Sequence, residues 1–428
     1  MKTAYINGII LDGSENMALQ TGKVIIVEGK KIAAIKDADG AELSGCELVD
    51  LGGQYILPGL INLHVHLPGS GKPSKRKLNL PLLCRALNSC ALGRAIGCGM
   101  IAANAKNALM AGVTTVRAVG TVADFDTRVR DDIESGKRIG PRILTSDCAI
   151  SVPGGHMAGS FAYIAESAEQ AAELVNKIAE AKPDLIKLMI TGGVLDCDES
   201  GEPGALLMSE DCIKAACDRA HELGYPVAAH CEGRDGIRAA LENGVNTIEH
   251  GAAPDGDIIR LFKEKGACQV LTITPALPYS LALPGVMNLS EASVRNSKIV
   301  VEGMIELAKE NLKNGIPVGL GTDSSCSYAT HYGFWRELVH FVNYCGVSNS
   351  FALHTATMIN AEIAGISDFT GSLHEGKMAD MIVTAENPLE DLSALSRVTK
   401  VIFEGRLFDS PEVKKYPEVE QVLNSINA

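Results

Sequence analysis

LINLHVH, residues 60–66, follows a Pro-Gly pair and sets His64 and His66 two positions apart in an apolar run. On a strand, that spacing points both imidazoles to one face. Two imidazoles facing together out of a buried strand need partners, and a metal ion satisfies both at once. Four more metal-competent side chains follow or end comparable runs: Lys187 in DLIKLMITGG, His230 in VAAHCEG, His250 in TIEHGA and Asp323 in GLGTDSS. Segments of helical character separate these runs. Parallel strands joined by helices collect their C-terminal ends on one face of a barrel, where catalytic groups sit. Six such side chains delivered to one rim would make a two-metal centre.

Each of the six reads differently when taken alone. His230 and His250 fit satisfied core histidines equally well, and Asp323 fits a cap on the next helix. Lys187 is the sharpest. A lysine inside the buried run DLIKLMI must lose its charge, find a partner, be modified or snorkel to the rim. As a neutral amine it can react with CO2 to give a carbamate, an anionic oxygen ligand able to bridge two cations.

The rest of the chain frames this centre. Its 428 residues exceed a typical single domain, and 46% apolar with 21% charged residues describe an ordinary globular protein. The net charge of −13, without a long basic run, argues against nucleic acid as a partner. The N-terminus MKTAYINGIILDGSENMALQ is not of signal-peptide type, and no run of eighteen apolar residues follows. The cytoplasm is therefore the expected compartment, with no membrane partner. Twelve cysteines without a CxxC pair suggest neither a zinc ribbon nor a redox motif.

Residues 1–57 alternate short Val- and Ile-rich runs with Gly turns, which predicts an antiparallel meander. From residue 58 to 366, strand-like runs alternate with helical segments such as EQAAELVNKIAEAK and DCIKAACDRAHELG, whose apolar residues recur every three or four positions. Eight such strands predict a (β/α)8 barrel. The β-rich pattern returns in residues 367–428, and the two ends are expected to share one small β-sandwich, since neither has enough strands alone. Residues 68–99, GSGKPSKRK running into a Cys- and Ala-rich helix, form a candidate lid after the first barrel strand.

Together these motifs resemble the amidohydrolase superfamily. The resemblance covers nearly the whole chain: LPGLINLHVH, GVTTVRAVG, GPRI, VPGGHM, the ligand runs, ALHTATMINAEIAG and GSLHEGKMADMIVTAENPLEDL. Within it the chain looks most like the binuclear branch of Xaa-Pro and Xaa-Arg dipeptidases, related to imidazolonepropionase-like amidohydrolases. The resemblance implies two divalent metal ions, zinc by expectation, and a CO2-derived carbamate on Lys187. His64, His66, Lys187 and Asp323 would hold one ion, and Lys187, His230 and His250 the other. Asn62 and Ala118 stand where the family usually shows Asp, and neither is a ligand position. Lys187 argues against the mononuclear branch of deaminases.

The implied activity is hydrolysis of an amide bond in a small substrate, a dipeptide or N-acyl amino acid, through a hydroxide shared by the metals. Asp323 would move the proton. His156, after a Gly pair that lets backbone approach a ligand, would stabilise the oxyanion. His331, Arg117 and Arg234 are further substrate-binding candidates, the arginines through a carboxylate if not spent on structural pairs. A cyclic-amide hydrolase or deaminase on the same barrel is the enzymatic rival, and a non-catalytic metal-binding or assembly protein the rival of another class. A homo-oligomer is expected.

Overall fold

The structure, a computed structural model, describes residues 2–74, 79–194 and 203–426. The chain divides into two compact units. One takes Met1–Asn62, Lys106–Val116 and Tyr332–Lys414; the other takes Leu63–Ala105, Arg117–His331 and Lys415–Ala428.

The first unit holds two sheets. A four-stranded sheet orders Lys31–Asp37, Lys23–Glu28, Lys2–Ile6 and Cys46–Asp50. A six-stranded sheet orders Arg406–Asp409, Val398–Phe403, Met381–Thr384, Tyr55–Pro58, Ile9–Leu11 and Leu19–Gln20. Met381–Thr384 pairs antiparallel with Tyr55–Pro58, so this sheet mixes strands from both ends of the chain. Tyr5, Ile25 and Val27 of the first sheet share one apolar core with Ile56, Met381 and Ile402 of the second.

The predicted antiparallel meander holds for the hairpin Lys23–Glu28/Lys31–Asp37 but not throughout. Lys2–Ile6 runs parallel to Cys46–Asp50, and Ile9–Leu11 runs parallel to Tyr55–Pro58. Parallel neighbours need a crossover, and the intervening hairpin serves as one. Residues 332–366, placed with the barrel in the sequence reading, group with the sheets. His354 Nδ1 hydrogen-bonds to Gly13 O at 2.8 Å, and Asn349 Nδ2 donates to Leu389 O at 2.9 Å.

The second unit carries the parallel strands. Seven pair in the order Ala162–Ile164, Ala149–Ser151, Ile186–Met189, Val227–Cys231, Thr247–His250, Cys268–Leu271 and Val318–Leu320. Another sheet orders Arg142–Thr145, Val113–Ala118 and Leu60–Val65, and the unit boundaries after Asn62 and Val116 fall within its last two strands. Backbone bonds run between these sheets: Asp184 N–H donates to Thr145 O at 2.7 Å, and Asp323 N–H to His64 O at 2.9 Å. The strands are buried on both faces, which is why they read as continuous apolar runs rather than as alternation.

The two helices expected from periodicity form as Ala168–Ala179 and Glu210–Glu222. Ser167 and Ser209 cap them by accepting from Gln170 and Cys212 N–H, each cap contributing about 1 kcal/mol. Their inner faces, Val175, Ile178, Ile213 and Ala216, pack with Ile186, Leu188 and Ala229 of the strands in one cluster. The apolar run RILTSDCAI, residues 142–150, which reads as one barrel strand, forms two strands, because Asp147 turns the backbone to φ 52° between them. Within the candidate lid, residues 75–78 lie outside the described residues, and two helices follow, Leu80–Asn88 and Ala91–Met110.

Candidate metal centre

Seven of the side chains singled out in the sequence line one cavity of about 160 Å³: His64, His66, His156, Lys187, His230, His250 and Asp323. All but His156, which lies in a loop, come from a strand or from just past its C-terminal end. His64 lies in Leu60–Val65 with His66 just past it, Lys187 in Ile186–Met189, His230 in Val227–Cys231, and His250 ends Thr247–His250. Asp323 comes three residues after Val318–Leu320. Parallel pairing in register stacks these positions toward one end, with Met189 beside His230 and Cys231 beside His250.

The strand ends are tightly fitted. A Cβ on Gly321 would stand 2.4 Å from His64 Cβ, so only glycine lets the two chains approach this closely. His250 and Asp323 both adopt left-handed backbone, φ 68° and 51°. Such conformations cost of order 1–3 kcal/mol each and cluster at functional sites.

A second layer of groups sets the tautomers. His64 Nδ1 lies 2.6 Å from Glu249 Oε2, His66 Nδ1 lies 2.9 Å from Gly120 O, and His250 Nδ1 lies 2.7 Å from Thr272 Oγ1. A carboxylate and a carbonyl only accept, so Nδ1 of His64 and of His66 carries the proton and Nε2 keeps its lone pair. Glu249 is itself held by Arg117, whose Nη2 donates at 2.7 Å, and by Thr247 Oγ1 at 2.8 Å. This carbonyl- and carboxylate-backed arrangement is typical of metal-binding histidines.

The electrostatics follow from burial. His64, His66 and His230 are pushed below the ordinary imidazole range by desolvation first, and His250 down to about 4 by the same cause, so all four are neutral near pH 7. Burial would raise the Asp323 carboxyl, but the surrounding His64, His66 and His250 rings hold it below the usual carboxylate range. Burial brings the Lys187 amine down to about 8, against the opposing pull of Glu249, which enlarges its neutral, CO2-reactive fraction.

These residues fit a cation. Nε2 of His64 and of His66 face Asp323 Oδ1 at 3.5 and 3.4 Å, so three acceptors converge with no proton to share. Acceptors gathered in this way are stabilised by a positive charge between them. Lys187 Nζ and His230 Nε2 are buried without a hydrogen-bond partner among the described residues. Two sets of donor atoms lie within 4.8 Å of one another: His64, His250 and Asp323, and His230, Glu232 and His250.

The remaining candidates part ways. The His156 ring stacks on His230 with centroids 4.3 Å apart and planes at 9°, which places it at the cavity. His331 is buried with both ring nitrogens engaged, Nδ1 with Ser324 Oγ at 3.0 Å and Nε2 with Gly69 O at 2.7 Å. Arg117 is buried and bonded to Leu63 O, Thr247 and Glu249, while Arg234 Nε donates to Ala253 O. Neither these three residues nor the described part of 68–99 lines the cavity. Its other walls combine an apolar set, Met157, Met189, Val194, Pro275, Val300 and Met304, with polar groups that include Glu232, Thr272 and Ser297.

Two acidic residues escaped the sequence reading. Glu249 is fully buried inside TIEHG, and a carboxylate in an apolar strand requires a charged partner, a signal that was available. Glu232, in HCEG, reads as an ordinary loop acid and carries no such signal.

A model described as the amidohydrolase family matches residues 55–408. Ochratoxinase of Aspergillus niger is 27% identical over 392 residues, 85% of this chain and 77% of that protein. A crystal structure of a Xaa-Pro dipeptidase with methionine bound in its active site is 27% identical, with TM-score 0.82 over 96% of this chain and 100% of the other. A Bifidobacterium longum structure provisionally described as a prolidase is 31% identical, with TM-score 0.87 over 100% of this chain and 99% of that one.

Proposed function

The chain belongs to the amidohydrolase family, and from that premise we propose that it hydrolyses the amide bond of a dipeptide or N-acyl amino acid. The observation that carries the reading is the convergence of His64 Nε2, His66 Nε2 and Asp323 Oδ1, three acceptors facing one another in a buried cavity. The similarity to a Xaa-Pro dipeptidase and to ochratoxinase supports the peptide-type amide. We read the parallel strands as a closed (β/α)8 barrel and the two sheets of the chain ends as a β-sandwich. The backbone bonds from Asp184 to Thr145 and from Asp323 to His64 support that closure.

In this reading His64, His66 and Asp323 would hold one zinc ion and His230 and His250 the other, with Lys187, as a carbamate, a ligand available to both. Two such ions, when bound, would supply Lewis acidity, lowering the pKa of an attacking water and polarising the scissile carbonyl. The chain supplies the rest. Asp323, ionised at neutral pH, accepts the proton of the attacking water and returns it to the leaving amine. Cys326 Sγ donates to Asp323 Oδ2 at 3.3 Å and so orients the carboxylate. His156, braced flat against His230, donates to the developing oxyanion. The methionine-rich wall excludes water and receives an apolar side chain of the substrate.

The test is a screen of dipeptides and N-acyl amino acids with zinc-loaded protein, followed by amino-acid release. Release of free amino acids that stops on chelation supports the proposal. Ammonia as the product would move the activity to a deaminase, and no turnover of any amide would sink the reading.

A further inference from the structure

The cavity holds a carboxylate that the six-residue ligand set leaves out. Glu232 lies two positions beyond His230, so the alternation of an extended chain returns its side chain to the same side. Its backbone N–H donates to Thr191 Oγ1 at 3.0 Å, which anchors the chain just after the Val227–Cys231 strand. Glu232 lines the cavity, and its carboxylate offers an oxygen within 4.8 Å of ring nitrogens of His230 and His250. We infer that Glu232 is a ligand of the second cation, together with His230 and His250. The inference rests on the two-cation reading above.

The chemistry favours this assignment. Two imidazoles and one carboxylate are a donor set of catalytic zinc sites, which keep a further position open for water or substrate. An imidazole ligates through the lone pair of its neutral form, so His230 and His250 as ligands bring no charge of their own to a dication. A carbamate on Lys187 would bring one negative charge, but only once the amine has captured CO2. Glu232 brings a carboxylate without any modification. The second site therefore retains a cation when Lys187 is unmodified, and the carbamate becomes a bridge added to a site already able to hold metal.

Zinc stoichiometry and affinity, measured by elemental analysis and by titration against a competing chelator, test this without an activity assay. Wild-type protein is expected to hold two equivalents, and Lys187→Ala to keep both at lowered affinity, since each site still has two imidazoles and a carboxylate. Glu232→Gln should keep one tight equivalent and lose affinity for the other. Loss of a mere outer-sphere partner costs about 10–100-fold in metal affinity, so loss of a ligand is expected to cost at least about 100-fold. Adding Glu232→Gln to Lys187→Ala should remove one of the two equivalents that Lys187→Ala keeps, leaving the ion held by His64, His66 and Asp323. Should the variants fail to fold, a crystal structure of zinc-loaded wild-type protein decides, with a Glu232 oxygen expected about 2.0–2.2 Å from zinc. Two zinc ions held by Glu232→Gln at wild-type affinity would overturn the inference alone. Wild-type protein that binds no zinc would overturn the two-cation reading as well, so the two failures are distinguishable.

Discussion

Replacing Asp323 by Asn keeps an oxygen beside His64 and His66 but removes the acceptor for a proton. Turnover is expected to fall by about 10²–10⁴, the usual contribution of general acid–base catalysis, while zinc content stays near wild type. A rate within a few-fold of wild type at full zinc loading would assign the proton to another group. His156→Ala removes a donor held flat against His230 and should lower kcat by about 10²–10³, with KM and zinc content little changed. A rise in KM at unchanged kcat would instead make His156 a substrate anchor. At this scale a polar side chain in an apolar run was informative at His64, His66 and Lys187, whereas the same signal at Glu249 was passed over. It was silent on what the ring nitrogens meet. The Glu249 carboxylate reaches His64 from a strand nearly two hundred positions away, and no local pattern records that distance.

Strands and their ends decide how closely the donors can gather. Gly321 admits the chain segment carrying Asp323 against His64, and a methyl group there would meet His64 Cβ at 2.4 Å. Gly321→Ala is expected to push these segments apart, lowering thermal stability by about 1–3 kcal/mol, as overpacking does, and weakening zinc binding with it. Calorimetry with and without zinc checks both, and an unchanged melting temperature would mean that the strand ends yield freely. The parallel strands were legible because burial on both faces leaves continuous apolar runs bounded by Gly and Pro. The split of RILTSDCAI was not, since Asp147 takes a left-handed backbone that its type adopts only occasionally. Pairing direction among the first strands was equally hidden, because Val- and Ile-rich runs look alike whether their neighbours run with them or against them.

For the whole molecule, buried histidines set the response to acid. His340 lies in the helix Phe334–Cys345 with both ring nitrogens lacking a partner among the described residues, and burial, aided by Arg336, brings it from 6.5 to about 3. The unfolded chain takes up that proton below about 6.5 and the folded one does not until about 3. Keeping the ring neutral therefore carries no proton-linked cost above pH 6.5, and stability falls as pH drops through that window, by up to about 1.4 kcal/mol per pH unit. Denaturant unfolding of zinc-free protein at pH 8 and pH 5 should show a smaller difference for His340→Leu than for wild type. Equal differences would place the acid sensitivity elsewhere. The pairing of Tyr55–Pro58 with Met381–Thr384 has a consequence for birth rather than for stability. At about 5–20 residues per second, a ribosome needs on the order of tens of seconds to pass from one strand to the other. Throughout that interval the nascent chain carries an open, apolar strand edge, the kind of template on which stray chains assemble. A message cut short before Met381 is thus expected to yield a product that partitions into aggregates or onto chaperones, even with every cavity-lining residue already translated.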